Sequence, residues 1–260
     1  PQVRAFAVSS TPYAKVNFFA YGTLRYGANV ASAQIDADGF LEILTGPGPG
    51  AVFGPHLRAL AHDAVAVAPV PGCSFFAYGT LKYGVNLSHG DIEGTPRMEM
   101  LTAPGPGPTF APQIRAFRYG PPVADIARVN VVAFPVTSHG GRAGAADMDG
   151  DSLEEILAGP GPGPTYGAYV RGFDYDGASV RDLFLVGVWP LLYGSRPGDG
   201  ELDGAPIEEL LVTPGPAPNP PAYVEGYELA GSQAVPISWF GFTPYATTHG
   251  ASAAGGFLGF

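Results

Sequence analysis

YGANVASAQIDADGFLEILTGPGPG, residues 26–50, recurs through this chain without a gap. Residues 83–107 read YGVNLSHGDIEGTPRMEMLTAPGPG, residues 139–163 read HGGRAGAADMDGDSLEEILAGPGPG, and residues 193–217 read YGSRPGDGELDGAPIEELLVTPGPA. The leading position falls at Tyr26, Tyr83, His139 and Tyr193 and returns once more at His249, each time followed by glycine. The intervals of 57, 56, 54 and 56 residues make this one structural unit copied along the chain. Downstream a second marker keeps the same count: Val3-Arg4-Ala5-Phe6, Leu57-Arg58-Ala59-Leu60, Ile114-Arg115-Ala116-Phe117, Val170-Arg171-Gly172-Phe173 and Val224-Glu225-Gly226-Tyr227.

Between the markers lie short runs of β-branched, aromatic and alanine residues, among them Val16 to Ala20, Val131 to Phe134 and Phe184 to Val188. Glycine, proline, aspartate and asparagine bound them, which is the pattern of strands separated by turns. No stretch carries a sustained helical period. A repeat of ~50 residues holding about four strands predicts the blades of a propeller, because such a sheet buries its two faces only between neighbours. The expected fold is an all-β, five-bladed β-propeller forming a single domain over residues 1–260. Its repeats run roughly over 26–82, 83–138, 139–192 and 193–248, with 249–260 joined to 1–25 in a last blade closed by both termini. Such closure leaves no free sheet edge.

Composition narrows the function classes. Charged residues are 14% of the chain and the formal net charge is −10, so neither phosphate backbones nor anionic lipids are expected partners. No apolar run reaches the ~18 residues of a membrane span. The 38 glycines and 28 prolines recur in register, as turns rather than as low complexity. Cys73 is the sole cysteine, which excludes an internal disulfide and a thiolate zinc cluster. The chain begins at Pro1 with no signal-like segment, as a processed or trimmed product would. Standard catalytic constellations are missing: there is no Gly-x-Ser-x-Gly, no His-Glu-x-x-His and no Gly-x-x-x-x-Gly-Lys.

The segment Asp147-Met-Asp149-Gly-Asp151-Ser-Leu-Glu-Glu155 resembles the calcium loop of FG-GAP repeats, the blades of integrin-α-type propellers. The resemblance implies oxygen ligands at loop positions 1, 3, 5 and 9, here Asp147, Asp149, Asp151 and Glu155, suited to a hard cation that takes six or more oxygens. The first copy offers Gln34, Asp36, Asp38 and Glu42, with Gly39 at position 6. The second offers Asp91, Glu93 and Glu99, with Thr95 at position 5 and Pro96 at position 6; the fourth offers Glu201, Asp203 and Glu209, with Ala205 and Pro206. A competing reading has these carboxylates capping turn N–H groups without metal, and proline at position 6 favours it in the second and fourth copies. Calcium loops would imply millimolar calcium, hence an extracellular or periplasmic location.

Closed into a ring, Tyr26, Tyr83, His139, Tyr193 and His249 would converge on the axis. Both departures from tyrosine land on histidine, another metal ligand. Phenol, with a pKa of ~10, binds at neutral pH only to an ion acidic enough to displace its proton. Three phenolates would neutralise Fe(III), the expected ion, with Cu(II) second. The alternative is that the rings only pack. Two function classes follow: a non-enzymatic metalloprotein with axial Fe(3+) and peripheral Ca(2+), or a calcium-stabilised adhesion module whose loops recognise a protein or glycan. Arg4, Arg58, Arg115 and Arg171 are expected to pair with loop carboxylates or with backbone carbonyls of the next repeat. His56, His62 and His89 fall outside the register and are expected at the surface or in turns.

Overall fold

In a computed structural model of the chain, the described residues are 1–260 except 8, 23–24, 64, 80–81, 165, 217–221, 246–250, 252 and 254–260. The fold is all-β, with five antiparallel sheets. β1 (Gln2–Phe6) and β2 (Pro12–Phe19) make a two-stranded sheet. Each of the other four sheets holds one repeat as a four-stranded meander. The first consists of β3 (Ala28–Ala33), β4 (Glu42–Pro47), β5 (His56–His62) and β6 (Val67–Phe76). The second consists of β7 (Val85–Gly90), β8 (Glu99–Pro104), β9 (Gln113–Arg118) and β10 (Ala124–Val132). The third consists of β11 (Gly141–Ala146), β12 (Glu155–Pro160), β13 (Gly167–Tyr175) and β14 (Val180–Leu192). The fourth consists of β15 (Ser195–Gly200), β16 (Glu209–Pro214), β17 (Ala222–Ala230) and β18 (Gln233–Tyr245).

The gapless segment fixes one register four times over. Ala28 faces Pro47, Val85 faces Pro104, Gly141 faces Pro160 and Ser195 faces Pro214 at the open end of each first hairpin. The second marker lands on the third strand of every repeat and on β1, so the amino-terminal hairpin has the sequence of third and fourth strands.

Packing between repeats explains the burial. Ile35, Leu44 and Leu57 of the first repeat share a core with Val85, Met100 and Phe117 of the second. Ile92, Leu101 and Ile114 meet Ala145, Ile156 and Phe173, and Met148, Leu157 and Val170 meet Leu210, Val212 and Tyr227. A second strand lies between two neighbouring sheets, so β8, β12 and β16 are buried at every position, while the fourth strand β10 has most of its residues outside the core. The first strands β3, β7, β11 and β15 lie side by side in that order and line one shared cavity.

The strand arginines reach backward rather than forward. Arg58 donates to the Ala20 carbonyl at 2.6 Å, Arg171 to Ala133 at 2.8 Å, and Arg115 to Ala77, each acceptor closing the preceding repeat. Arg115 and Arg171 also pair with Asp125 and Asp182 at 2.9 and 2.7 Å. Among the described residues, Arg4 stacks on Phe6. The arginines thus tie consecutive repeats, through the previous one and not the next.

The carboxyl-terminal segment meets the fourth repeat at Ala251. Its carbonyl accepts from Thr213 Oγ1 at 2.8 Å and from Arg196. The same exchange joins earlier repeats, where Asn29 donates to the Val85 carbonyl and Asn86 to the Gly141 carbonyl, both at 2.6 Å. Ala251 therefore occupies, beside β15, the place that the start of a first strand takes beside β3 and β7.

Candidate functional site

Each acidic loop links a first strand to a second, and its geometry starts from position 9. Glu42, Glu99, Glu155 and Glu209 are buried, and each accepts the backbone N–H of loop position 2: Ile35 at 2.9 Å, Ile92 at 3.1 Å, Met148 at 2.7 Å and Leu202 at 2.7 Å. One carboxylate oxygen thus clamps the loop onto its strand. Burial pushes all four carboxyls up, Glu99 and Glu155 to about 8. Neighbouring carboxylates add to the rise in each loop: Asp149, Asp147 and Asp151 around Glu155, and Asp36 and Asp38 around Glu42.

Position 4 is left-handed in every copy, at Ala37, Gly94, Gly150 and Gly204. Position 6 divides them. Gly39 and Ser152 are also left-handed, with φ of 91° and 72°, whereas Pro96 and Pro206 are locked near −65° by the pyrrolidine ring. The two loops with a second left-handed residue are the two that gather three carboxylates. Ligand oxygens of Asp36, Asp38 and Glu42 lie within 4.8 Å of one another, and so do those of Asp147, Asp149 and Asp151.

Within these clusters much of the carboxylate capacity is spent on the turn. Asp38 Oδ1 accepts the Phe40 N–H at 2.8 Å, Asp36 Oδ1 the Asp38 N–H at 3.2 Å, and the Gln34 amide oxygen the Ala37 N–H at 2.9 Å. Asp147 takes the N–H groups of Gly150 and Ser152 on its two oxygens, Asp149 that of Asp151, and Asp151 that of Leu153. One atom stands apart. Glu42 Oε1 is buried without a hydrogen-bond partner, beside Asp36 and Asp38. A buried carboxylate oxygen in that condition is costly (~2–7 kcal/mol even for a neutral polar group) unless a proton or a cation meets it.

The second and fourth loops are built otherwise. Glu93 pairs with Arg118 at 2.7 Å, and the Thr95 hydroxyl donates to the Arg97 carbonyl and accepts its N–H. Asp91 accepts the Thr95 N–H at 3.1 Å. In the fourth loop Asp203 accepts the Ala205 N–H at 2.8 Å, and Glu201 that of Gly204. Among the described residues, neither loop brings three carboxylates together.

The marker rings stand at the opposite end of the first strands. Tyr26, Tyr83, His139 and Tyr193 are all left-handed, as is the glycine after each. Their backbone is tied between repeats: Tyr83 N–H donates to Gly50 O at 3.0 Å, His139 to Gly107 O at 2.6 Å and Tyr193 to Gly163 O at 3.1 Å. A Cβ on Gly48, Gly105, Gly161 or Gly215 would overlap the marker's carbonyl oxygen, which requires glycine inside each Gly-Pro turn. The side chains pack within their own repeats. Tyr26 meets Phe53, Tyr83 meets Phe110 and His139 meets Tyr166, edge to face at 6.0, 6.0 and 5.8 Å. Tyr26 is exposed, and none of the four lines the cavity between the first strands. His249 lies outside the described residues.

That cavity, of about 540 Å³, is lined by residues the repeat register had left unremarked. Three residues beyond each marker stand Asn29, Asn86, Arg142 and Arg196. His89 lines it too, on β7, which corrects its expected place in a turn or at the surface; burial lowers its pKa. His56 stacks on Phe76 and shares a 2.9 Å hydrogen bond with Ser74. Cys73 is buried against Met100, and burial pushes its thiol up to about 12, so it stays protonated.

No protein-family model matches the sequence, and no curated protein matches it. Among solved structures, the chain is similar to the rhamnogalacturonan lyase YesW, with a TM-score of 0.43 and 11% identity over 88% of this chain. The match spans about half of that enzyme, 49% of its length.

Proposed function

We propose that the chain is a five-bladed β-propeller of FG-GAP type that binds calcium in the loops of its first and third repeats and serves as a non-enzymatic binding module. The buried, unpartnered Glu42 Oε1 beside Asp36 and Asp38 carries this reading, because a cation is what that oxygen lacks. Four face-to-face repeats and the seating of Ala251 beside β15 support a fifth blade shared by the two ends of the chain. Calcium fits better than zinc, since the gathered ligands are carboxylates without thiolate or imidazole. In such a module calcium fixes the loops, and a protein or glycan ligand would be met by the loop face, in an extracellular or periplasmic setting.

For the marker side chains, the three edge contacts within single repeats favour packing over an axial ferric centre. Calcium titration of the metal-free chain by calorimetry is the test: two sites per chain are expected, and one should vanish in the D149N/D151N double variant. At a calcium concentration of ~100 Kd each site adds ~2.7 kcal/mol to stability. A chain whose heat of titration and unfolding midpoint ignore calcium would sink the proposal.

A further inference from the structure

The cavity between β3, β7, β11 and β15 has a charge pattern unrelated to the acidic loops. At one level, three residues after each marker, stand two amides and two guanidinium groups: Asn29, Asn86, Arg142 and Arg196. Three residues farther along the same strands, a step of ~10 Å at strand rise, the lining carries His89 and Asp199.

Arg142 is the decisive group. It is half-buried and lines the cavity. Nη1 donates to the Asn86 amide oxygen. Among the described residues no carboxylate lies within ion-pair distance of Arg142. Asn86 is held in turn, since its Nδ2 donates to the Gly141 carbonyl at 2.6 Å and to the Pro104 carbonyl at 3.3 Å, while its Oδ1 also accepts from Asn29 Nδ2 at 3.2 Å. The charged neighbour acting on Arg142 is Arg196, a second cation. Burial, and then Arg196, pull the Arg142 guanidinium down to about 10, and it remains fully charged at neutral pH. A half-buried cation whose charged neighbour is another cation rather than an anion is costly. Planar guanidinium forks are matched to carboxylate and tetrahedral oxyanions.

We propose that the axial cavity binds one small oxyanion, a carboxylate or a tetrahedral phosphate or sulfate, between Arg142 and Arg196, with Asn86, itself held by Asn29, positioning the Arg142 guanidinium. The cavity volume is ample for such an ion with water around it. The anion would bridge the third and fourth repeats at the neighbouring strands β11 and β15, each of which contributes one guanidinium. This site is independent of the calcium reading, because it uses no loop carboxylate.

The test is calorimetry on the intact chain with phosphate, sulfate and acetate at fixed ionic strength, once in EDTA and once in calcium. Saturable binding of one anion per chain is expected in both conditions, with at least ten-fold weaker binding in Arg142→Gln. Preference for acetate over phosphate would assign a carboxylate ligand; the reverse would assign a tetrahedral one. A second variant, Arg142→Met, should unfold at a higher temperature than the parent in anion-free buffer and lose the midpoint rise that phosphate produces in the parent. No saturable heat with any of the three anions overturns the proposal, as does binding that appears only with calcium or survives unchanged in Arg142→Gln. If both variants fail to fold, the parent's midpoint decides: a rise with phosphate over chloride at equal ionic strength upholds the site, and equal midpoints reject it.

Discussion

The third loop and the second start from the same frame and end differently. Both clamp position 2 with a buried glutamate, Glu155 on Met148 and Glu99 on Ile92, and both turn through a left-handed glycine at position 4. Ser152 then enters the left-handed region and Asp147, Asp149 and Asp151 converge. Pro96 is barred from that region, and the second loop closes instead through the Thr95 hydroxyl and the Glu93–Arg118 ion pair. The lesson is that gathering three carboxylates in such a loop needs backbone conformation as well as acidic residues. The first and second loops hold three acidic residues each, yet only in the first do they gather.

That contrast can be broken by exchange. Converting Thr95→Asp together with Pro96→Gly should give the second loop the ligand and the freedom it lacks, and calorimetry should count a third calcium. The proline change alone should add none, because Thr95 supplies no carboxylate. A double variant that still binds two ions would show that the Glu93–Arg118 pair, not the proline, holds the loop shut.

The pH dependence separates the two loops more gently. Glu99 and Glu155 are each pushed up to about 8, chiefly by burial. A carboxyl whose folded-state pKa lies above its unfolded value, ~4.3 for glutamate, favours folding while protonated. Its contribution is complete below the unfolded value and is lost as pH rises through about 8. Metal-free protein should therefore lose stability between roughly pH 4 and 8, as read by denaturant unfolding in EDTA. Calcium should flatten the share due to Glu155 and leave that of Glu99, so Glu99→Gln should reduce the slope that persists in calcium. An unchanged slope in that variant would place the titration elsewhere.

The smallest effect belongs to the marker rings. Tyr83→Phe keeps the contact with Phe110 and should shift stability by less than ~0.5 kcal/mol, and ferric reconstitution should leave the protein colourless. A red to purple absorption band that weakens in Tyr83→Phe would instead establish the ferric centre and overturn packing as the role of these residues.

The meander, its register and the division among the loops were legible because each depends on short-range rules. Glycine and proline punctuate the strands, four gapless copies force one hairpin register, and proline at position 6 marks the two loops in which, among the described residues, three carboxylates do not come together. The direction of Arg58, Arg115 and Arg171 was not legible, since nothing local distinguishes a carbonyl of the preceding repeat from one of the next. Nor was the cavity level of Asn29, Asn86, Arg142 and Arg196. The signal was present three residues after each marker, but asparagine and arginine are unlike in type, and only their common height on adjacent strands relates them.

By itself the sequence determined the all-β repeat architecture and the four loop frames, because strand alternation, turn conformation and proline restriction act within a few residues. Only the tertiary structure decided where the side chains meet. It set the marker rings against Phe53, Phe110 and Tyr166 of their own repeats and brought Arg142 and Arg196 to one cavity. Those outcomes depend on how separate sheets pack face to face, and packing is settled by the summed shape and burial of residues far apart in the chain.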